Sequence, residues 1–101
     1  MLAKGACESR VLSYIASMNS KHRRTLAAIF ASRTSAALPW RDIEALLLAI
    51  GCTLIEGDGS AVRFAKDGVI ARFHRPHPAK EAKRYQVRDA RTFLEELGIK
   101  P

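Results

Sequence analysis

Ser60-Ala61-Val62-Arg63-Phe64-Ala65-Lys66-Asp67-Gly68-Val69-Ile70-Ala71-Arg72-Phe73-His74 is the stretch whose reading decides the fold. Apolar Val62 and Phe64 alternate with Ala61 and Arg63, the period-two pattern of a half-buried strand. Asp67-Gly68 is a two-residue hairpin turn between two such runs. With that loop, Lys66 pairs with Val69. Counting outward, Ala65 faces Ile70, Phe64 faces Ala71, Arg63 faces Arg72, Val62 faces Phe73 and Ala61 faces His74. Alternation then sorts the side chains. Val62, Phe64, Val69, Ala71 and Phe73 share one face, while Ala61, Arg63, Ala65, Ile70, Arg72 and His74 share the other.

Upstream, residues 52–56 read as a third strand, joined to the hairpin by the turn Gly57-Asp58-Gly59. Before it, Pro39-Trp40-Arg41-Asp42 opens a helix running to about residue 50, with Ile43, Leu46, Leu47 and Ile50 at i, i+3, i+4, i+7 spacing and Gly51 as its stop. An earlier helix is expected over 21–31, capped by Asn19 or Ser20, with Leu26, Ile29 and Phe30 on one side. Downstream, two prolines make 75–83 an extended loop. A last helix over 87–97 places Val87, Ala90, Phe93, Leu94 and Leu97 on its buried side before Gly98 ends it. Helices covering one face of a three-stranded antiparallel sheet make an α+β two-layer domain. Residues 1–18 read as an N-terminal extension, disordered or a short helix, and 19–101 as the domain.

The chain has 101 residues, nearly half of them hydrophobic, which suits one packed core. Its formal charge is +7, and the excess is concentrated. Between Ser60 and Arg91 there are nine Lys and Arg against three Asp and Glu. Such a surface attracts polyanions, because each neutralised phosphate releases condensed counterions. The alternative is an ordinary solvated surface. Two dispersed cysteines, Cys7 and Cys52, build neither a disulfide framework nor a zinc site, and a reducing cytoplasm fits best. Residues 1–17 carry no continuous apolar region of the signal-peptide kind, and the longest apolar run is far short of the ~20 residues a membrane helix needs.

Two guanidinium groups directly opposite each other repel unless an anion lies near. Arg63 and Arg72 therefore suggest a phosphate, which would add charge-assisted hydrogen bonds. Otherwise both splay into water, or Glu56 on the neighbouring strand pairs with one. His74 lies on the same face, and His77 follows in the Pro76-His77-Pro78 loop. RNA cleavage needs a base for the 2′-hydroxyl, cations for charge developing on phosphorus and an acid for the leaving oxygen. Histidines beside arginines are suited to that work, although His77 is as readily a loop residue bonded to backbone. No metal site is expected, because no carboxylate or thiol cluster accompanies the histidines. Trp40 reads as a core anchor, and Tyr85 as either a base-stacking ring or a packing residue.

Several of these motifs occur together in one known family. Leu38-Pro39-Trp40-Arg41-Asp42-Ile43-Glu44-Ala45-Leu46-Leu47, then Gly59-Ser60 before a strand, then Pro76-His77-Pro78 with Lys80 and Glu81, then a final amphipathic helix ending in Gly98-Ile99, resemble the HicA toxins of bacterial type II toxin–antitoxin pairs. The resemblance spans roughly 19–101. It implies a fold like that of double-stranded-RNA-binding domains, in the order α-β-β-β-α, with the first helix an addition. It also implies a ribosome-independent mRNA endoribonuclease neutralised by a HicB-type antitoxin, with no cofactor. The family pattern continues Gly-Ser-His and takes that histidine as catalytic, whereas this chain has Ala61 there, so it resembles a divergent branch.

Because Ala61 faces His74 in the derived pairing, His74 is the candidate catalytic residue. Ser60, Arg63, Arg72, Arg75, His77, Lys80, Lys83 and Arg84 are the candidate RNA-binding residues. The expected partners are mRNA and a HicB-like antitoxin, with no membrane, and the state is a monomer or an antitoxin-bound hetero-oligomer. Two other readings stand beside this one: an RNA-binding module of the same fold that does not cut, consistent with Ala61, and a domain whose basic face meets an acidic protein.

Overall fold

Asn19 places its side-chain Oδ1 2.8 Å from the backbone nitrogen of His22, whose N–H donates to it. That cap starts helix α1, Ser20–Ile29. The structure, a computed structural model, describes residues 18–101. The extension expected before Met18 lies outside the described residues. Helix α1 ends two residues before the expected 31, because another element takes its last carbonyls. The Arg91 guanidinium donates to Ile29 O at 2.8 Å and to Ala31 O at 3.0 Å.

Helix α2, Trp40–Ala49, follows Pro39. It closes at Gly51, whose φ of 99° suits a residue without Cβ. There Cys52 N donates to Leu47 O and Gly51 N to Leu48 O, the paired bonds of a Schellman turn. Three strands come next: β1 Thr53–Glu56, β2 Ala61–Lys66 and β3 Val69–His74, in the order β1-β2-β3 and antiparallel throughout. The β2–β3 register runs from Lys66↔Val69 to Ala61↔His74, every pair as the turn dictates. Asp67 and Gly68 both have positive φ, 51° and 81°, as a turn of this kind requires.

Helix α3, Arg84–Glu96, begins three residues before the expected 87. The cause is Gln86. Its Oε1 accepts the Lys83 N–H at 3.0 Å, and its Nε2 donates to His74 O at 2.6 Å. This buried side chain caps the helix and ties its first turn to the end of β3.

The core lies between the helices and one face of the sheet. Trp40, Phe64 and Phe73 form its aromatic centre, with ring centroids 5.1 Å apart for Trp40–Phe73, 6.0 Å for Phe64–Phe73 and 6.5 Å for Trp40–Phe64. Ile43, Leu46, Leu47, Val87 and Leu94 close around them. Cys52 is buried at the edge of this cluster, and burial pushes its thiol from 9.0 up to about 11. Helix α3 packs on β3, and α1 packs on α2 and α3, so α1 reinforces the helical layer. The architecture is the α+β arrangement expected, a small α-β-β-β-α fold of the double-stranded-RNA-binding type, preceded among the described residues by one helix.

Candidate functional site

Among the described residues no helix covers the second face of the sheet. Across its middle row stand Ile55, Arg63 and Arg72, one from each strand, all exposed. Ile70 is 57% exposed on the same face, two pairs closer to the turn. Among the described residues neither arginine side chain has a hydrogen bond or ion pair. Two cations are thus held as cross-strand neighbours with nothing between them.

Two pairs further along, Ala61 faces His74. His74 is exposed, and strand geometry puts its side chain about 7 Å along the strand from that of Arg72, on the same face. Its Nδ1 lies 3.5 Å from Ser60 Oγ, at the outer limit of a hydrogen bond. Its carbonyl is held by Gln86, so the backbone that carries the imidazole is anchored from the helical layer. Ser60, Arg63, Arg72 and His74 are therefore brought together.

Arg75 is not with them. The next residue along a strand points to the opposite face, and there the Arg75 guanidinium forks onto Glu44 at 3.0 and 3.2 Å and reaches Glu56 at 2.7 Å. Its hydrogen bonds to the Glu44 carboxylate first and then to Glu56 hold its proton still more firmly than usual. Glu44 also accepts the Trp40 indole N–H at 3.0 Å. Sequence reading offered Arg75 as an RNA contact and Glu56 as a partner for Arg63 or Arg72. Instead the two residues satisfy each other, because Glu56 pairs with Val62 and so belongs to the helix-facing side. Glu44 and Gln86 were missed. Gln at the third position of a helix was a legible capping signal, but nothing local announced the reach of Glu44 to Arg75.

The remaining candidates lie apart. His77 and Lys80 line a cleft of about 490 Å³ with Pro39, Trp40, Arg41, Pro76 and Pro78. Its walls are fixed: Trp40 N donates to Lys80 O at 3.0 Å and Ala82 N to Leu38 O at 2.8 Å. Lys83 is the exposed N-cap residue of α3. Arg84 turns toward a trough it shares with Arg33 and Arg88. Among the described residues, no three His, Cys, Asp or Glu side chains are grouped to hold a metal ion, and no helix is long and apolar enough to cross a membrane.

This fold, with its exposed cationic sheet face, can be set against known families. The family model described as the HicA toxin of bacterial toxin-antitoxin matches residues 40–99. The chain belongs to the HicA family. No curated protein and no solved structure matches it. The matched span covers α2, the three strands and α3, so α1 and the loop after it precede the HicA core. Membership makes the protein a toxin of a bacterial toxin–antitoxin system, with an antitoxin as its partner. By the resemblance drawn above, Ala61 stands where HicA proteins usually carry histidine.

Proposed function

We propose that this HicA toxin is an mRNA endoribonuclease whose phosphate site is the open sheet face, and that a HicB-type antitoxin neutralises it. The observation that carries the reading is the couple Arg63–Arg72, without a partner among the described residues, set two pairs from His74 on the same face. A phosphodiester bound between the guanidiniums relieves their repulsion and gains charge-assisted hydrogen bonds. The same groups then meet the extra negative charge that develops as phosphorus becomes five-coordinate.

His74 acts as the base. It takes the 2′-hydroxyl proton, the 2′-oxygen bonds to phosphorus, and the bond from phosphorus to the 5′-oxygen breaks. That leaving oxygen takes a proton from water. His74 thereby supplies from β3 what Ala61 cannot supply from β2. Ser60 Oγ, beside Nδ1, is a positioning group for the ring. His77, Lys80 and Lys83 extend the cationic surface along the loop and serve RNA binding. Arg75 supports the site from beneath, through Glu44 and Glu56, without touching RNA.

Ala61 itself favours a second reading, an RNA-binding module that does not cut. Incubating the purified protein with mixed-sequence RNA in chelator separates the two. Fragments with cyclic phosphate ends, lost on adding the antitoxin, are the expected result. RNA retained intact on the protein supports the second reading, and cleavage abolished by chelator overturns the metal-free mechanism.

A further inference from the structure

A second cationic feature lies on the helical side, away from the open sheet face. Arg33, Thr34, Ser35, Ala36, Arg84 and Arg88 line a shallow trough of about 710 Å³. Among the described residues no carboxylate lines it. Arg84 and Arg88 are one helical turn apart on α3, a like-charge spacing that weakens a helix unless an anion is near. The side chains of Arg33 and Arg88 have no hydrogen bond or ion pair among the described residues.

The trough is built rather than accidental. Arg91 holds the last carbonyls of α1, which fixes where the following loop departs. Arg84 Nε donates to Thr34 O at 3.4 Å, drawing that loop toward α3. Ser35 Oγ accepts the Ala37 N–H at 3.0 Å and shapes the turn. Four of these six lining residues, Arg33 to Ala36, lie before residue 40, outside the part that matches the HicA family.

We propose that Arg33, Arg84 and Arg88 form a second phosphate subsite, which takes the RNA backbone some nucleotides away from the one at His74. This rests on the RNA reading above. Gln86, on the opposite side of the same helical turn from Arg84, is tied to the carbonyl of His74, so the first turn of α3 stands between the trough and the end of β3. The lining favours a polyphosphate strand over a protein partner. Among the described residues Ala36 is its only apolar side chain, whereas protein interfaces centre on buried aromatic or aliphatic anchors. Thr34 and Ser35 supply hydroxyl groups of the kind that contact phosphate oxygens.

Fluorescence anisotropy on the full chain tests this with labelled RNAs of about four and about sixteen nucleotides, the range single-strand sites span. Three proteins are compared: wild type, Arg33→Gln/Arg88→Gln, and Arg63→Gln/Arg72→Gln. Arg84 is left intact because it holds the loop. For Arg33→Gln/Arg88→Gln, the Kd of the long RNA should rise roughly tenfold or more, with the short RNA bound within about twofold of wild type. The slope of log K against log salt should fall by about 1.4, the share of two single-strand phosphates. Equal affinity of this variant and wild type for the long RNA overturns the proposal. So does a loss confined to antitoxin binding, which would make the trough a protein contact. Unchanged binding of both RNAs by Arg63→Gln/Arg72→Gln would sink the sheet-face reading and leave the trough standing.

Discussion

Arg63 on β2 and Arg72 on β3 are direct cross-strand partners, and neither side chain meets a carboxylate among the described residues. Like charges so placed cost the free protein stability that only a bound anion returns. Arg72→Gln should therefore raise stability at low salt by a few tenths of a kcal/mol to about 1 kcal/mol, while weakening RNA binding roughly tenfold. Thermal melts and RNA titrations at matched ionic strength check both halves. A variant that is less stable and binds equally well would show that the pair plays no part in anion binding.

That pair was readable because Asp67-Gly68 fixes the hairpin with a two-residue loop, and a period of two leaves no freedom in which side chains share a face. The helix stripes were equally legible, since Leu46, Leu47, Val87 and Leu94 need only local spacing. Contacts between distant elements were not. Arg75 looked like any loop arginine until β1 and α2 brought Glu56 and Glu44 to it. The start of α3 was misjudged because Lys83 is a poor N-cap residue by side chain, and the bond that sets it comes from Gln86 further on. Arg84 was grouped with the site by charge alone, yet it faces Arg33 across the trough, a neighbour fifty-one positions away in the sequence.

Glu44 joins two layers by accepting from both Arg75 and Trp40. Glu44→Ala leaves the mostly buried indole N–H without its acceptor and a half-buried guanidinium with only Glu56. A loss of about 1–3 kcal/mol is expected in denaturant melts. Because Arg75 follows His74, cleavage should fall as well, without a matching loss in RNA affinity.

Phe64 is fully buried between Trp40 and Phe73. Phe64→Ala should cost about 3–5 kcal/mol through lost transfer energy and the cavity left behind. Against a typical total of about 5–15 kcal/mol, circular dichroism should show a markedly lowered melting temperature.

Cys52 holds its proton more tightly in the folded state, from 9.0 up to about 11, because burial disfavours the thiolate. Its contribution to stability is thus complete below pH 9 and is lost as pH rises toward 11. At pH 8 the thiolate fraction is on the order of one in a thousand. Mass-resolved alkylation should find Cys52 unreacted in the native protein and labelled after unfolding. Rapid native labelling would show that the pocket around it opens.

The central claim is that His74 moves the proton that Ala61 cannot. Single-turnover cleavage of a bound RNA by wild type and His74→Ala tests it most directly. The His74→Ala rate should be lower by about 10²- to 10⁴-fold, with RNA affinity within about twofold of wild type. Undiminished cleavage by His74→Ala, or no cleavage by the wild-type toxin, would contradict it.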